Sequence, residues 1–224
     1  MSGTWDIGDT IKGSYGDYEV VYKYCNMNNL KYEVLHRQWN QMFMVKSLPC
    51  EISKDIIITE IKNVMGFKKI YRNFVYPTIC EKIDNVYYMF VKKPKYGSLE
   101  DYLNSVKEPM NFEEAISIGI QICECVEIFH KNNKIHRALA PANIFIDDIS
   151  SFLVPENEVV TNGKINFFCQ EIRIGNFIFV REGDERNRYH QKVVNNDKCE
   201  KIKEYIDQEF SLFYEYAAPE QFKN

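Results

Sequence analysis

Between Tyr18 and Lys46 two β-rich runs, Glu19-Val20-Val21-Tyr22 and Met42-Phe43-Met44-Val45, flank a polar stretch holding Asn26, Asn28 and Asn29. That alternation predicts strand, loop, strand. Ile52, Ile56, Ile57, Ile61 and Val64 then recur at helical spacing, so a helix follows. Strand-like runs return near Thr78 to Cys80 and from Val86 to Val91. The front of the chain therefore reads as a small sheet carrying one helix.

The texture changes after this. Ser98-Leu99-Glu100-Asp101 is a capping-type start for a short helix, and Asn111-Phe112-Glu113-Glu114 is a capping box for a longer one. The longer helix, Phe112 to Lys131, is apolar on two faces. Ile116, Ile120 and Cys123 line one, and Ile118, Ile122, Cys125 and Phe129 line the other, which predicts burial inside a helical lobe. A sheet-rich lobe followed by a helical one is an α+β arrangement with a cleft between them. Further on, Ile202, Ile206 and Phe210 fall at helical spacing within residues 197–210.

Composition removes several function classes. The 224 residues carry a net charge of −4 with scattered positives, so no broad basic field exists for nucleic acid. Seven cysteines without a CxxC pair read as reduced thiols of a cytoplasmic protein. The N-terminus lacks the signature of a secretory leader, and no run approaches the ~18 apolar residues of a membrane span. Neither a membrane nor a nucleic-acid partner is expected.

The chemistry-bearing residues begin with His136-Arg137-Ala138-Leu139-Ala140-Pro141-Ala142-Asn143, which resembles the catalytic-loop pattern H-R-D-L-x-x-x-N of protein kinases. Upstream, Gly13-Ser14-Tyr15-Gly16 followed by Val20 resembles the end of the glycine-rich phosphate loop and the strand after it. Phe43-Met44-Val45-Lys46 resembles V-A-I-K, and Glu60 on the predicted helix suits its ion-pair partner. Gly97-Ser98-Leu99 matches the exit from the interlobe hinge, which makes Val91 the gatekeeper and Lys92-Lys93-Pro94 the hinge. Downstream, the strand Ile172 to Gly175 leads into Asn176-Phe177 at the D-F-G position, and Ala218-Pro219-Glu220 matches A-P-E. The resemblance implies a bilobal kinase-like fold spanning residues 1–224: a β-rich lobe over 1–91, a hinge at 92–97, and a partial helical lobe over 98–224 whose activation segment is 176–220. In the family several more helices follow the A-P-E position, so the resemblance implies a lobe left incomplete at Asn224, either truncated or completed by another chain, and inserted residues between Asp148 and Phe168.

Set against this resemblance, the phosphoryl-transfer groups are depleted. The family's catalytic aspartate accepts the substrate hydroxyl proton, and Ala138 stands in its place. The metal-binding aspartate is Asn176, which leaves Asn143 as the surviving metal-ligand type; neither carries the charge that a hard divalent cation favours. Met44 replaces the small alanine above adenine, Phe145 narrows the slot from below, and Ile11 falls where the first loop glycine belongs. Pro94 removes an amide donor from the hinge. The resemblance therefore implies a pseudokinase that works by binding a protein, an active kinase or a signalling protein, with ATP and Mg not required. His136 and Phe177 are expected to stack as structural residues, with Glu220 also structural. The alternative is a divergent ATP-dependent kinase acting on Ser, Thr or Tyr.

Overall fold

The computed structural model describes residues 5–24, 31–48, 53–64, 73–106, 108–148, 160–161, 164–165, 170–177, 180–182, 200–201, 204–205, 208 and 214–216. Strands β1 (Thr10–Gly13), β2 (Gly16–Tyr24), β3 (Lys31–His36) and β4 (Gln41–Leu48) are followed by helix α1 (Ser53–Val64). Then come β5 (Phe74–Val75), β6 (Pro77–Ile83) and β7 (Val86–Lys92). Six of these strands form one antiparallel sheet in the order β1-β2-β3-β4-β7-β6. The expected small sheet with one helix is present, with two additional strands, β1 and β3.

Period-two alternation decides which side of this sheet faces what. Val20, Val34, Phe43, Val45 and Phe90 point into one core, closed at its end by Trp5, which stacks on Tyr88 at 4.3 Å. Burial there pushes the Tyr88 phenol up to about 12. Lys46, Leu48 and Met89 point to the opposite side, where α1 packs through Ile56 and Ile57. The two faces of β4 thus serve separate purposes: odd positions hold the sheet together, and even positions line the space beneath it.

Beyond the sheet lie α2 (Leu99–Ser105) and α3 (Phe112–Lys131). Both start as the sequence predicts. Ser98 and Asp101 cap each other at the head of α2, and Asn111 and Glu114 do so at α3, which satisfies amides that the first turn leaves open. After α3 come β8 (Lys134–Ile135), a 3₁₀ turn at Pro141–Asn143, β9 (Ile144–Asp148), β10 (Val160–Thr161), β11 (Lys164–Ile165), β12 (Gln170–Gly175) and β13 (Arg181–Glu182). β12 lies between β5 and β9, so this second sheet links the two parts of the chain. Arg173 on β12 bridges Asp147 and Glu171 at 3.1 and 3.2 Å.

Helix α3 departs from the expectation of burial on two faces. Ile118, Cys125 and Phe129 are buried, whereas Ile116, Ile120 and Phe112 are exposed, the last at 79%. The exposed side borders a shallow groove of about 820 Å³ with Ala115, Gly119 and Cys123. No described helix is long and apolar enough to cross a membrane. The A-P-E residues Ala218, Pro219 and Glu220, and most of the inserted residues between Asp148 and Phe168, lie outside the described residues. Within 197–210, Glu200, Lys201, Glu204, Tyr205 and Gln208 are helical.

Candidate functional site

The segment after β7 docks on β9 and fixes what lies beneath the sheet. Tyr96 N donates to Ile146 O at 3.1 Å, Ile146 N returns a bond to Gly97 O at 3.0 Å, and Lys95 N donates to Asp147 Oδ1 at 3.1 Å. β9 carries Phe145, opposite Arg173 of β12, with its ring against Gly175. A Cβ at Gly175 would lie 2.8 Å from that ring, so the glycine makes room for it.

Around the turn from β8 to β9, His136 is 2% exposed and donates through Nε2 to Gly175 O at 3.0 Å. Its Nδ1 accepts from Ala138 N at 3.2 Å, so both ring nitrogens have fixed roles in one neutral tautomer. Burial holds its pKa down to about 4, only partly opposed by the carbonyl of Gly175. The ring meets Phe129 edge-on at 5.2 Å and Phe177 at 5.9 Å, while Phe74 closes on both phenylalanines. A ring this dry and this fully engaged organises the site and stays neutral near pH 7.

Ala138 is 3% exposed, in an apolar cluster with Leu48, Ile56, Met89, Ala140 and Tyr205. Its carbonyl accepts from Asn143 Nδ2 at 2.9 Å. Asn143 Oδ1 in turn accepts from Asn176 Nδ2 at 3.3 Å. Asn176 sits at φ 65°, a left-handed conformation that asparagine tolerates better than most residues. Two amides bonded to each other, with no carboxylate in the pair, are a poor donor set for Mg²⁺. Among the described residues, no group of His, Cys, Asp and Glu is arranged to hold a metal.

Lys46 and Glu60 lie on the α1 side of the sheet, Glu60 buried at 7%. The Glu60 carboxylate is near enough to Cys80 to add to the burial that pushes this thiol up to about 11. The Lys46 ammonium stands 5.1 Å above the ring of Tyr205, a cation–π contact. Tyr205 is 4% exposed and shares its apolar cluster with Ala138 of the His136–Asn143 turn. Helical spacing in 197–210 predicts a helix there, but nothing in the sequence singles out Tyr205 as its inward residue.

Met44 is half-buried on β4, directly across from Val91 on one side and Glu33 on the other. Glu33 is 8% exposed; it pairs with Lys93 and accepts from the Tyr24 hydroxyl at 2.5 Å. Glu33 is not among the residues the sequence pattern points to, because the polar positions of β3 mask its strand. The alternation Tyr32-Glu33-Val34, with buried neighbours on either side, was the available signal.

Gly13, Gly16 and Val20 are a correction. Gly13 and Gly16 face each other across the β1–β2 hairpin, which β3 separates from β4. A Cβ on Gly13 would meet Glu81 Oε1 at 2.5 Å, and one on Gly16 would meet His36 Nε2 at 2.8 Å. Gly16 also has φ +141°. These glycines permit a tight turn against β6 and β3. Val20 is 1% exposed and faces the opposite core from Met44, so it cannot cover a slot below the sheet. The strand bonded to β4 on this side is β3, and the connection entering it is residues 25–30, Cys-Asn-Met-Asn-Asn-Leu, which lies outside the described residues and contains no glycine.

A curled antiparallel sheet with α1 beneath it, a hinge docked on β9 and a His-Arg-x-Leu turn leading to Asn143 define one class of protein, and sequence comparison agrees. The chain matches the protein tyrosine and serine/threonine kinase family over residues 13–203, and it belongs to that family. It is 27% identical over 150 residues to the serine/threonine protein kinase OSK3 of Oryza sativa subsp. indica, covering 64% of this chain and 26% of that protein. It is 27% identical over 153 residues to the serine/threonine-protein kinase STY46 of Arabidopsis thaliana, covering 68% of this chain and 22% of that protein. Similarity to the serine/threonine-protein kinase PrkC of Bacillus subtilis (strain 168) extends over 78 residues at 28% identity, 35% of this chain and 12% of that protein. The chain thus spans about a quarter of the length of the first two curated relatives.

Proposed function

We propose that this chain is a catalytically impaired protein-kinase domain that acts by binding a protein partner, an active kinase or another signalling protein, in the cytoplasm. The observation that carries this reading is the replacement of the proton-accepting carboxylate by the buried methyl group of Ala138. In this family the protein contributes positioning, metal-held charge and a base, and little covalent chemistry of its own. Loss of the base alone removes a contribution of about 10²–10⁴ in rate. The Asn143–Asn176 amide pair removes the anionic metal anchor, and Tyr205 rests on the lysine that would hold phosphate. The glycine-free connection 25–30, read as the phosphate loop from its place before β3, supports the same conclusion.

What remains intact supports binding. The buried column of His136, Phe129, Phe177 and Phe74 ties the catalytic-loop turn to β5 and α3. Such a frame presents stable surfaces to a partner without turnover. Radiolabelled γ-phosphate transfer to a generic acceptor protein, with Mg²⁺ or Mn²⁺, tests the proposal. The expected signal equals that of a Lys46→Ala control; labelling that the control abolishes overturns the reading.

A further inference from the structure

Beside Met44, close to the segment that follows β7, lies a buried ion pair. Glu33 lies opposite Met44 in the β3–β4 register and turns its carboxylate to the same side of the sheet. A charge buried this deeply is costly unless paired and hydrogen-bonded. Glu33 has both kinds of partner. The Lys93 ammonium, arriving from just beyond β7, forms an ion pair with Oε2, and Tyr24 donates its hydroxyl proton to Oε1 at 2.5 Å. Burial first, then the bond to Glu33 and its charge, with Asp101 adding to them, push the Tyr24 phenol up, so it stays a donor.

The backbone of Lys93 is engaged as well, donating its N–H to Met42 O at 3.0 Å. The next residue, Pro94, is buried and has no N–H to offer. A base entering here would find the Lys93 amide already engaged, no N–H on Pro94, and Met44 beside a carboxylate paired with the Lys93 ammonium. Displacing that ammonium would strand the Glu33 carboxylate without its counter-charge.

We propose that Glu33 and Lys93 plug the base end of the interlobe slot from within, as a carboxylate site that takes an alkylammonium group and rejects a purine. This rests on the kinase-domain reading above and concerns what the slot accepts, independently of whether phosphate is transferred. The same pair joins β3 to the hinge, so the roof of the slot is held in place without a nucleotide.

Brief acetylation of the full chain with an N-hydroxysuccinimide ester, followed by peptide mass spectrometry, tests the pair against an internal standard. Lys92 is exposed and adjacent to Lys93. In the wild-type chain Lys93 should react several-fold more slowly than Lys92, and Glu33→Gln should bring the two rates together. Equal rates in the wild-type chain overturn the proposal. Calorimetric titration with ATP and with adenosine supplies the second arm. No heat of binding is expected for the wild-type chain, and uptake is expected for Glu33→Val/Met44→Ala. A variant that keeps the pocket neutral and filled, Glu33→Gln/Lys93→Met, guards against misfolding and is checked by circular dichroism. Wild-type binding of adenosine also overturns the proposal, whether or not the chain transfers phosphate.

Discussion

Asn176 Nδ2 donates to Asn143 Oδ1 across 3.3 Å, so the two positions from which a kinase would hold its metal instead hold each other. The bond satisfies a buried acceptor that would otherwise seek a cation. Millimolar Mg²⁺ or Mn²⁺ should therefore leave the melting temperature of the wild-type chain unchanged. Asn176→Asp restores a carboxylate beside Asn143, and its melting temperature should rise on addition of either metal, because a ligand bound only by the native state stabilises it. A metal-induced shift in the wild-type chain would contradict the amide-pair account.

Restoring the base should cost stability without restoring activity. Ala138→Asp places a carboxylate among Leu48, Ile56, Met89 and Tyr205. Burying an unpaired charge there should lower the unfolding free energy by about 3 kcal/mol or more, read as a lower urea midpoint. On the proposed reading phosphate transfer should stay at background, because Asn176 offers no carboxylate to a metal.

His136 makes stability depend on pH in a direction the geometry fixes. Its folded pKa of about 4 lies below its ordinary 6.5. Between these values the unfolded chain binds a proton that the folded chain refuses, so stability is full above about pH 6.5 and falls as pH drops toward 4. The loss is on the order of 3 kcal/mol across that window. Melting curves from pH 7.5 to 4.5 should show the slope, and His136→Gln should remove most of this component. A slope unaltered in the variant would assign the effect to other groups.

The hairpin glycines give a prediction that separates structure from ligand binding. Gly16→Ala adds a Cβ against His36 and Gln38 at a φ of +141°. The cost should be about 1–3 kcal/mol in denaturant unfolding. Nucleotide titrations should be unaffected, as Gly16 lies two strands from Lys46.

How far the sequence could be read depended on whether a signal was local. Helices α1, α2 and α3 are legible because caps and spacing are written within a few residues; the capping box at Asn111 forms as predicted, and the capping-type start at Ser98 is a full box as well. β3 escaped notice because Lys31, Glu33 and His36 disguise a strand whose alternate positions, Tyr32 and Val34, are buried. Gly13 and Gly16 misled for the opposite reason: two glycines three residues apart suit a tight hairpin as well as a phosphate loop, and only the sheet order tells them apart. Ile116 and Ile120 promised a second buried face on α3, yet helical spacing does not say whether a partner covers it. Glu33 with Lys93, and Lys46 with Tyr205, are contacts between residues distant in sequence, which no spacing rule brings together.

Trp5 and β1 carry a practical lesson for anyone preparing this protein. The family match begins at residue 13, and a fragment cut to that boundary would discard the indole that rests on Tyr32 and Tyr88, together with Ile11 and the outermost strand. Tyrosine rings now dry would meet water, and the free edge of β2 would invite pairing with other molecules. Expression should therefore begin upstream of Trp5, because the shorter fragment would precipitate for reasons unrelated to its function.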